Sequence, residues 1–213
     1  MSHFKIRYRG RLRLPVEVEQ LADEVEDVCR SNGWESHRWE EDWSKPNTIR
    51  MSFEEEALYT EGHAPLKGVS FNPGTDMETV WLTFTPDGTL NSLFTLQDPT
   101  FTAADKHYPW NRVKTKFGDA KTHAVICDLF RYVGDKYFAH IELEEEPGYW
   151  QHRDMARLEK FMAQIADDYR QLEEELVVIQ NDDSIEPERK SEILYDLLRQ
   201  FGTRNKPYES GEG

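Results

Sequence analysis

Cysteine is scarce in this chain: Cys29 and Cys127 are the only two among 213 residues. A small domain stapled by disulfides needs a denser framework, so that class of fold is excluded. No apolar run approaches the roughly 20 residues that span a bilayer, and the opening MSHFKIRYRG has no apolar centre. A secretory signal is therefore not expected, and the chain reads as soluble and cytoplasmic, with no membrane partner. Positive charge is in deficit, 26 Lys and Arg against 41 Asp and Glu, for a formal net charge of −15. A general coat for nucleic acid or for an anionic membrane surface needs the opposite balance. Catalytic signatures are missing too: GxSxG, HExxH, CxxC, GxxxxGK[ST] and GxGxxG do not occur. No catalytic residue, metal set or cofactor is expected.

The charge that is present is segregated. Residues 1–13 carry Lys5, Arg7, Arg9, Arg11 and Arg13 and no acid, a net of +5. Residues 14–63 are −10, residues 64–104 are −3, residues 105–138 are +3 and residues 139–213 are −10. Two positive islands thus sit in an acidic molecule, and they either meet its own acids or await an anionic partner.

Periodicity sets the architecture. From residue 4 to 14, Phe4, Ile6, Tyr8, Leu12 and Leu14 alternate with the cations, the period of a half-buried strand. Pro15 suits a first helical turn. Val18, Leu21, Ala22, Val25, Val28 and Cys29 then recur at helical spacing until Asn32-Gly33 stops them. Short strands are expected at Lys67–Phe71, Val80–Phe84, Thr89–Phe94 and Arg112–Phe117, with Pro86-Asp87-Gly88 as a hairpin turn. Glu35 and Glu40 flank another possible strand, and a long polar, aromatic loop is expected from Gln97 to Pro109. A second helix, from Ala120 to about Phe138, presents Ile126, Leu129, Phe130, Val133 and Tyr137 on one face. A strand over Phe138–Leu143 and a solvated turn over residues 144–148 complete residues 1–150. The expectation is an α+β domain, a mainly antiparallel sheet with two packed helices.

Beyond Trp150 the pattern changes. Met155, Leu158, Met162, Ile165, Tyr169, Leu172, Leu176 and Ile179 alternate spacings of three and four, the a/d seam of a coiled coil. A shorter helix from Pro187 carries Ile193, Leu194, Leu197, Leu198 and Phe201, so residues 151–201 read as a helical hairpin arm. Residues 202–213 are nearly free of apolar side chains and read as a disordered tail. The long helix outreaches its partner, which leaves part of the seam for another subunit or a protein partner. Ile165, Leu172 and Leu176 are its candidate contacts.

Five other features bear on function. The stripe of Arg7, Arg9 and Arg11 can track phosphates, or form a ladder with acids such as Glu142 and Glu144 on neighbouring strands. Lys106, His107, Tyr108, Trp110, Arg112, Lys114, Lys116 and Lys121 interleave cations with aromatics, as single-strand binders do. The nucleic-acid alternative gains only if these two islands share a surface. Gly118 leads into a helix N-terminus that is open to an anion. His123 and Cys127, four apart on that helix, suggest a metal pair or a thiol and base, yet lack the further groups either needs. Trp39 and Trp43, among Glu40, Glu41 and Asp42, read as an exposed aromatic and acidic loop suited to a protein partner, or as packing on the edge of the sheet. Taken together, these features favour a non-catalytic acidic interaction module: an adaptor, an inhibitor or an assembly component.

Overall fold

The computed structural model describes residues 5–54, 57–74, 77–97, 108–115, 118–182 and 184–204. The fold is α+β, with mixed helices and antiparallel sheets. Strand β1 (Lys5–Leu12) is the middle of a three-stranded sheet, between β8 (Asn111–Lys114) and β9 (Phe138–Glu145), antiparallel to both. A second sheet runs in the order β2 (Glu35–Glu40), β5 (Lys67–Asn72), β6 (Val80–Phe84), β7 (Leu90–Asn91). A separate hairpin pairs β3 (Arg50–Glu54) with β4 (Ala57–Glu61).

The alternation of β1 does what its period predicts. Ile6, Tyr8, Gly10 and Leu12 are buried, while the residues between them face out. Gly10 stands on the inward side because no side chain fits there: a Cβ would lie 2.5 Å from the His140 carbonyl oxygen and 2.9 Å from the Phe138 ring. Phe138 fills that space and packs edge-on against Phe84 of the second sheet, centroids 5.6 Å apart. The two sheets are tied further by a bridge between Arg11 and Thr89 and by the buried Tyr8 hydroxyl, which accepts from the Trp81 N–H at 2.9 Å.

Helix α1 (Val18–Asn32) turns Val18, Leu21, Ala22, Val25 and Cys29 into the core and ends at Gly33, whose φ of 70° is left-handed. α1 lies against β5 and α3 (Ala120–Tyr137) against β9, and the two helices touch. Arg38 on β2 ties that strand to α1 through Asp23 at 2.8 Å and Glu26 at 2.9 Å. Lys136 ties α3 to α1 through Glu24 at 2.6 Å, and this bond holds the Glu24 carboxyl below the usual carboxylate range. Arg13, last of the N-terminal cations, donates to the carbonyls of Asp135, Lys136 and Phe138 at the end of α3, where the helix dipole is negative.

Helix α5 (Met155–Asn181) starts inside the core, with Leu158 fully buried and Met155 and Met162 packed on the same cluster. It then folds back through a short turn onto α6 (Pro187–Arg204), giving the C-terminal helical pair. α6 runs three residues into the expected tail. Residues 205–213 lie outside the described residues.

Two local expectations are corrected, and one element was missed. The strand expected over Thr89–Phe94 stops at Asn91, because the Ser92 hydroxyl and Thr95 cap one another and start a short helix, α2 (Leu93–Leu96). The turn expected over 144–148 begins two residues late, since β9 continues through Glu145 before Gly148 (φ 82°) opens α4 (Tyr149–His152). The β3–β4 hairpin was hidden by its acid-rich sequence. The expected loop from Gln97 to Pro109 falls mostly outside the described residues.

Tyr8→Phe removes the acceptor of the Trp81 N–H from the buried Tyr8 site without changing the ring, so it is expected to cost about 1–3 kcal/mol. The measurement is the urea midpoint, which falls while the slope stays constant.

Candidate functional site

The outer face of the three-stranded sheet is the first candidate. Cross-strand partners share a face, and the register sets Arg7 opposite Arg112 and Lys5 opposite Lys114 on one side. On the other side it sets Arg7 opposite Glu144, Arg9 opposite Glu142 and Arg11 opposite His140. The two positive islands therefore meet on one surface, as does the ladder of acids that would neutralise them. Arg7 pairs with Glu144 at 2.9 Å and Arg9 with Glu142 at 2.6 Å. The Arg9 hydrogen bond, with a further one from His140, holds the Glu142 carboxyl below its ordinary range.

Trp110, one residue ahead of β8, is half-buried beneath two cations. The Arg7 guanidinium lies 4.5 Å and that of Arg9 4.4 Å from its ring centroid, within the range of a cation–π contact. Arg11 donates to the Asp87 carbonyl at 2.8 Å and Lys114 pairs with Glu78 at 2.9 Å. Arg112 is exposed and has no ion pair with a described residue. Lys106, His107 and Lys116 lie outside the described residues.

The helix N-terminus after Gly118 is not an open anion site. Asp119 caps α3, its carboxylate accepting from the Thr122 N–H at 2.6 Å, and it brings negative charge where an anion would sit.

His123 and Cys127 are fully buried. His123 Nδ1 is 2.8 Å from the Thr115 hydroxyl and Nε2 is 3.3 Å from Glu145 Oε2. Glu145 Oε1 accepts from the Trp150 N–H at 2.6 Å, so its carboxylate fastens α3, β9 and α4 together. Hydroxyl, imidazole and carboxylate stand in the order of a nucleophile, a base and an orienting acid. All three side chains are without exposed surface, so their arrangement is that of a satisfied internal network. Burial also pushes the Cys127 thiol well above its ordinary range, which leaves it protonated and weakly nucleophilic. Beside this network Glu146 is half-buried, and burial raises its carboxyl to about 7.

Thr115 and Glu145 were missed in the sequence. The signal for Glu145 was there: extending the period of two from Leu143 points it inward, opposite Ile6. Its place in a run of three glutamates hid that parity.

Trp39 and Trp43 do not form an exposed loop. Trp39 belongs to β2, packs on Trp81 with centroids 5.5 Å apart, and donates to the Ser70 hydroxyl at 2.9 Å. Trp43 donates to the Phe84 carbonyl at 3.2 Å. Both are half-buried, because an indole with its N–H satisfied gains more from covering the sheet than from facing water. In the hairpin, Leu172 is buried whereas Ile165 and Leu176 are half-buried.

No family model matches the chain, and neither a curated protein nor a solved structure matches it.

Two measurements test this internal network. Glu145→Ala strips the carboxylate from His123 and Trp150 and is expected to lower stability by about 3 kcal/mol, read by chemical denaturation. Glu146 titrates near 7 when folded, above the ordinary 4.5, so the folded state holds the extra proton and stability falls as pH rises between those values. Glu146→Gln is expected to raise the thermal midpoint at pH 8 by roughly 2–4 °C, the gain that about 1 kcal/mol gives a chain this size. Water screening of a half-exposed carboxyl keeps the gain that small. Below pH 4.5 the difference should vanish.

Proposed function

We propose that this chain is a non-catalytic protein-interaction module whose docking element is the α5–α6 pair, grasping an amphipathic helix of a protein partner. The observation that carries this reading is the unfinished burial of the pair. Of the eight seam residues of α5, only Leu158 and Leu172 are buried, and Leu158 belongs to the domain core rather than to the hairpin. Met155, Met162, Ile165, Tyr169, Leu176 and Ile179 are half-buried. Val177, Val178, Tyr195 and Leu198 are more than half exposed, at 54, 68, 69 and 52%.

Apolar side chains of this size normally find cover, and several together on one element mark an interaction surface. Two helices that leave their seam open accept a third by the same knobs-into-holes packing. Aliphatic and tyrosine side chains supply the contact area, and the acidic charge of the chain favours a partner that is basic around its apolar stripe. Trp39 and Trp43 fall outside this docking element, since both are engaged in covering the second sheet.

The experiment is affinity capture from source lysate with the full chain, alongside a Val178→Asp, Tyr195→Asp variant, with mass by light scattering. Both positions are exposed, so the variant is expected to unfold at the wild-type temperature. Stoichiometric capture of a protein, or self-association above 25 kDa, that the variant abolishes supports the proposal. A monomer whose captured proteins are all retained by the variant overturns it.

A further inference from the structure

We propose that the outer face of the β8-β1-β9 sheet is a binding site for single-stranded nucleic acid. This face is separate from the α5–α6 pair, and the inference does not rest on the docking role given to that pair. Three observations converge on it.

The first is charge. Lys5, Arg7, Arg9 and Arg11 project from β1, and the β8 partners of Lys5 and Arg7 are Lys114 and Arg112. Glu142, Glu144 and Glu78 pair with these cations, and two more carboxylates stand near them, Asp87 by Arg11 and Glu146 by Lys5. Six cations against five carboxylates leave this face slightly positive in a molecule of formal charge −15. Acids over the rest of the surface repel a polyanion, so the field steers it to this one face.

The second is geometry. Alternate residues of a strand lie about 6.8 Å apart, which gives the cations a regular row along which a stretched sugar–phosphate backbone can run. Arginine supplies two parallel donors to a phosphate. The pairs of Arg7 with Glu144 and Arg9 with Glu142 hold the guanidiniums in position; the Arg7–Glu144 pair is exposed and weak enough for phosphate to compete, whereas the Arg9 side chain is only 15% exposed. Arg112 is exposed and makes no ion pair with a described residue.

The third is the ring. Cations alone suit any polyanion, an acidic protein included. Trp110 lies in the middle of the row, half-buried, with Arg7 and Arg9 packed on it at 4.5 and 4.4 Å. A tryptophan and guanidinium planes form a stacking platform that bases use and carboxylates do not. Bases inside a duplex are unavailable for it, so the occupant is a single strand.

The test is fluorescence anisotropy with an end-labelled 15-nucleotide oligo-dT and the full chain. At 50 mM salt saturable binding is expected, weakening as salt is raised to 200 mM. Arg112→Glu, at an exposed position, is expected to weaken binding about ten-fold or more, and Trp110→Ala by about 5- to 150-fold. Lys160→Glu on α5 and the Val178→Asp, Tyr195→Asp variant are expected to bind as wild type, which separates this site from the hairpin. Absence of binding at 50 mM salt would overturn the proposal, as would wild-type affinity in Arg112→Glu. Competition by polyglutamate or by a 15-base-pair duplex as effective as by the unlabelled single strand would also overturn it, leaving only attraction of polyanions.

Discussion

The pairing of β1 along both its edges is the constraint from which the rest of the structure follows. A central strand has each side chain committed to one of two faces, and here the two faces could hardly differ more. Ile6, Tyr8 and Leu12 enter the core, and every outward position is a cation. A slip of one residue would bury four charges, so the register is fixed by a penalty larger than the stability of most domains. With the register fixed, Tyr8 meets Trp81, Gly10 makes room for Phe138, and Arg13 reaches the end of α3. The same register decides which acids of β9 meet which arginines.

Legibility in the sequence depended on how local the determining interaction was. β1, α1 and α3 announce themselves because their periods lie within the segment: alternation in one and apolar stripes in the others, with Gly33 closing α1. Pro187 likewise marks the first residue of α6. The boundary at Ser92 was obscured by a choice between two local hydrogen-bonding schemes that use the same residues. The β3–β4 hairpin is stabilised by pairing between segments too polar to signal a buried face.

The candidate sites follow the same rule. Glu142 and Glu144 were identifiable as ladder partners for the N-terminal cations because strand parity fixes them. That Arg112 and Lys114 would lie on the same face required knowing that β8 pairs with β1, a contact across about a hundred residues. The Thr115–His123–Glu145 network is assembled from the end of one strand, a helix and the end of another, so no single window of sequence contains it. Trp39 and Trp43 were misplaced because acidic neighbours suggested water, whereas the indoles take their environment from Ser70 and Phe84, far along the chain.

Helix α5 is rooted in one environment and ends in another. Around Leu158 it shares the close-packed core, where a change of even one methylene is felt by α3 and α4. Around Val177 and Val178 its side chains are more than half exposed. One continuous helix thus carries two records. Drift in its first three turns is bounded by the needs of the fold, while drift in its last three is released from them. Among diverged copies of this chain, the point along α5 where variation begins to rise would mark where the demands of the core end.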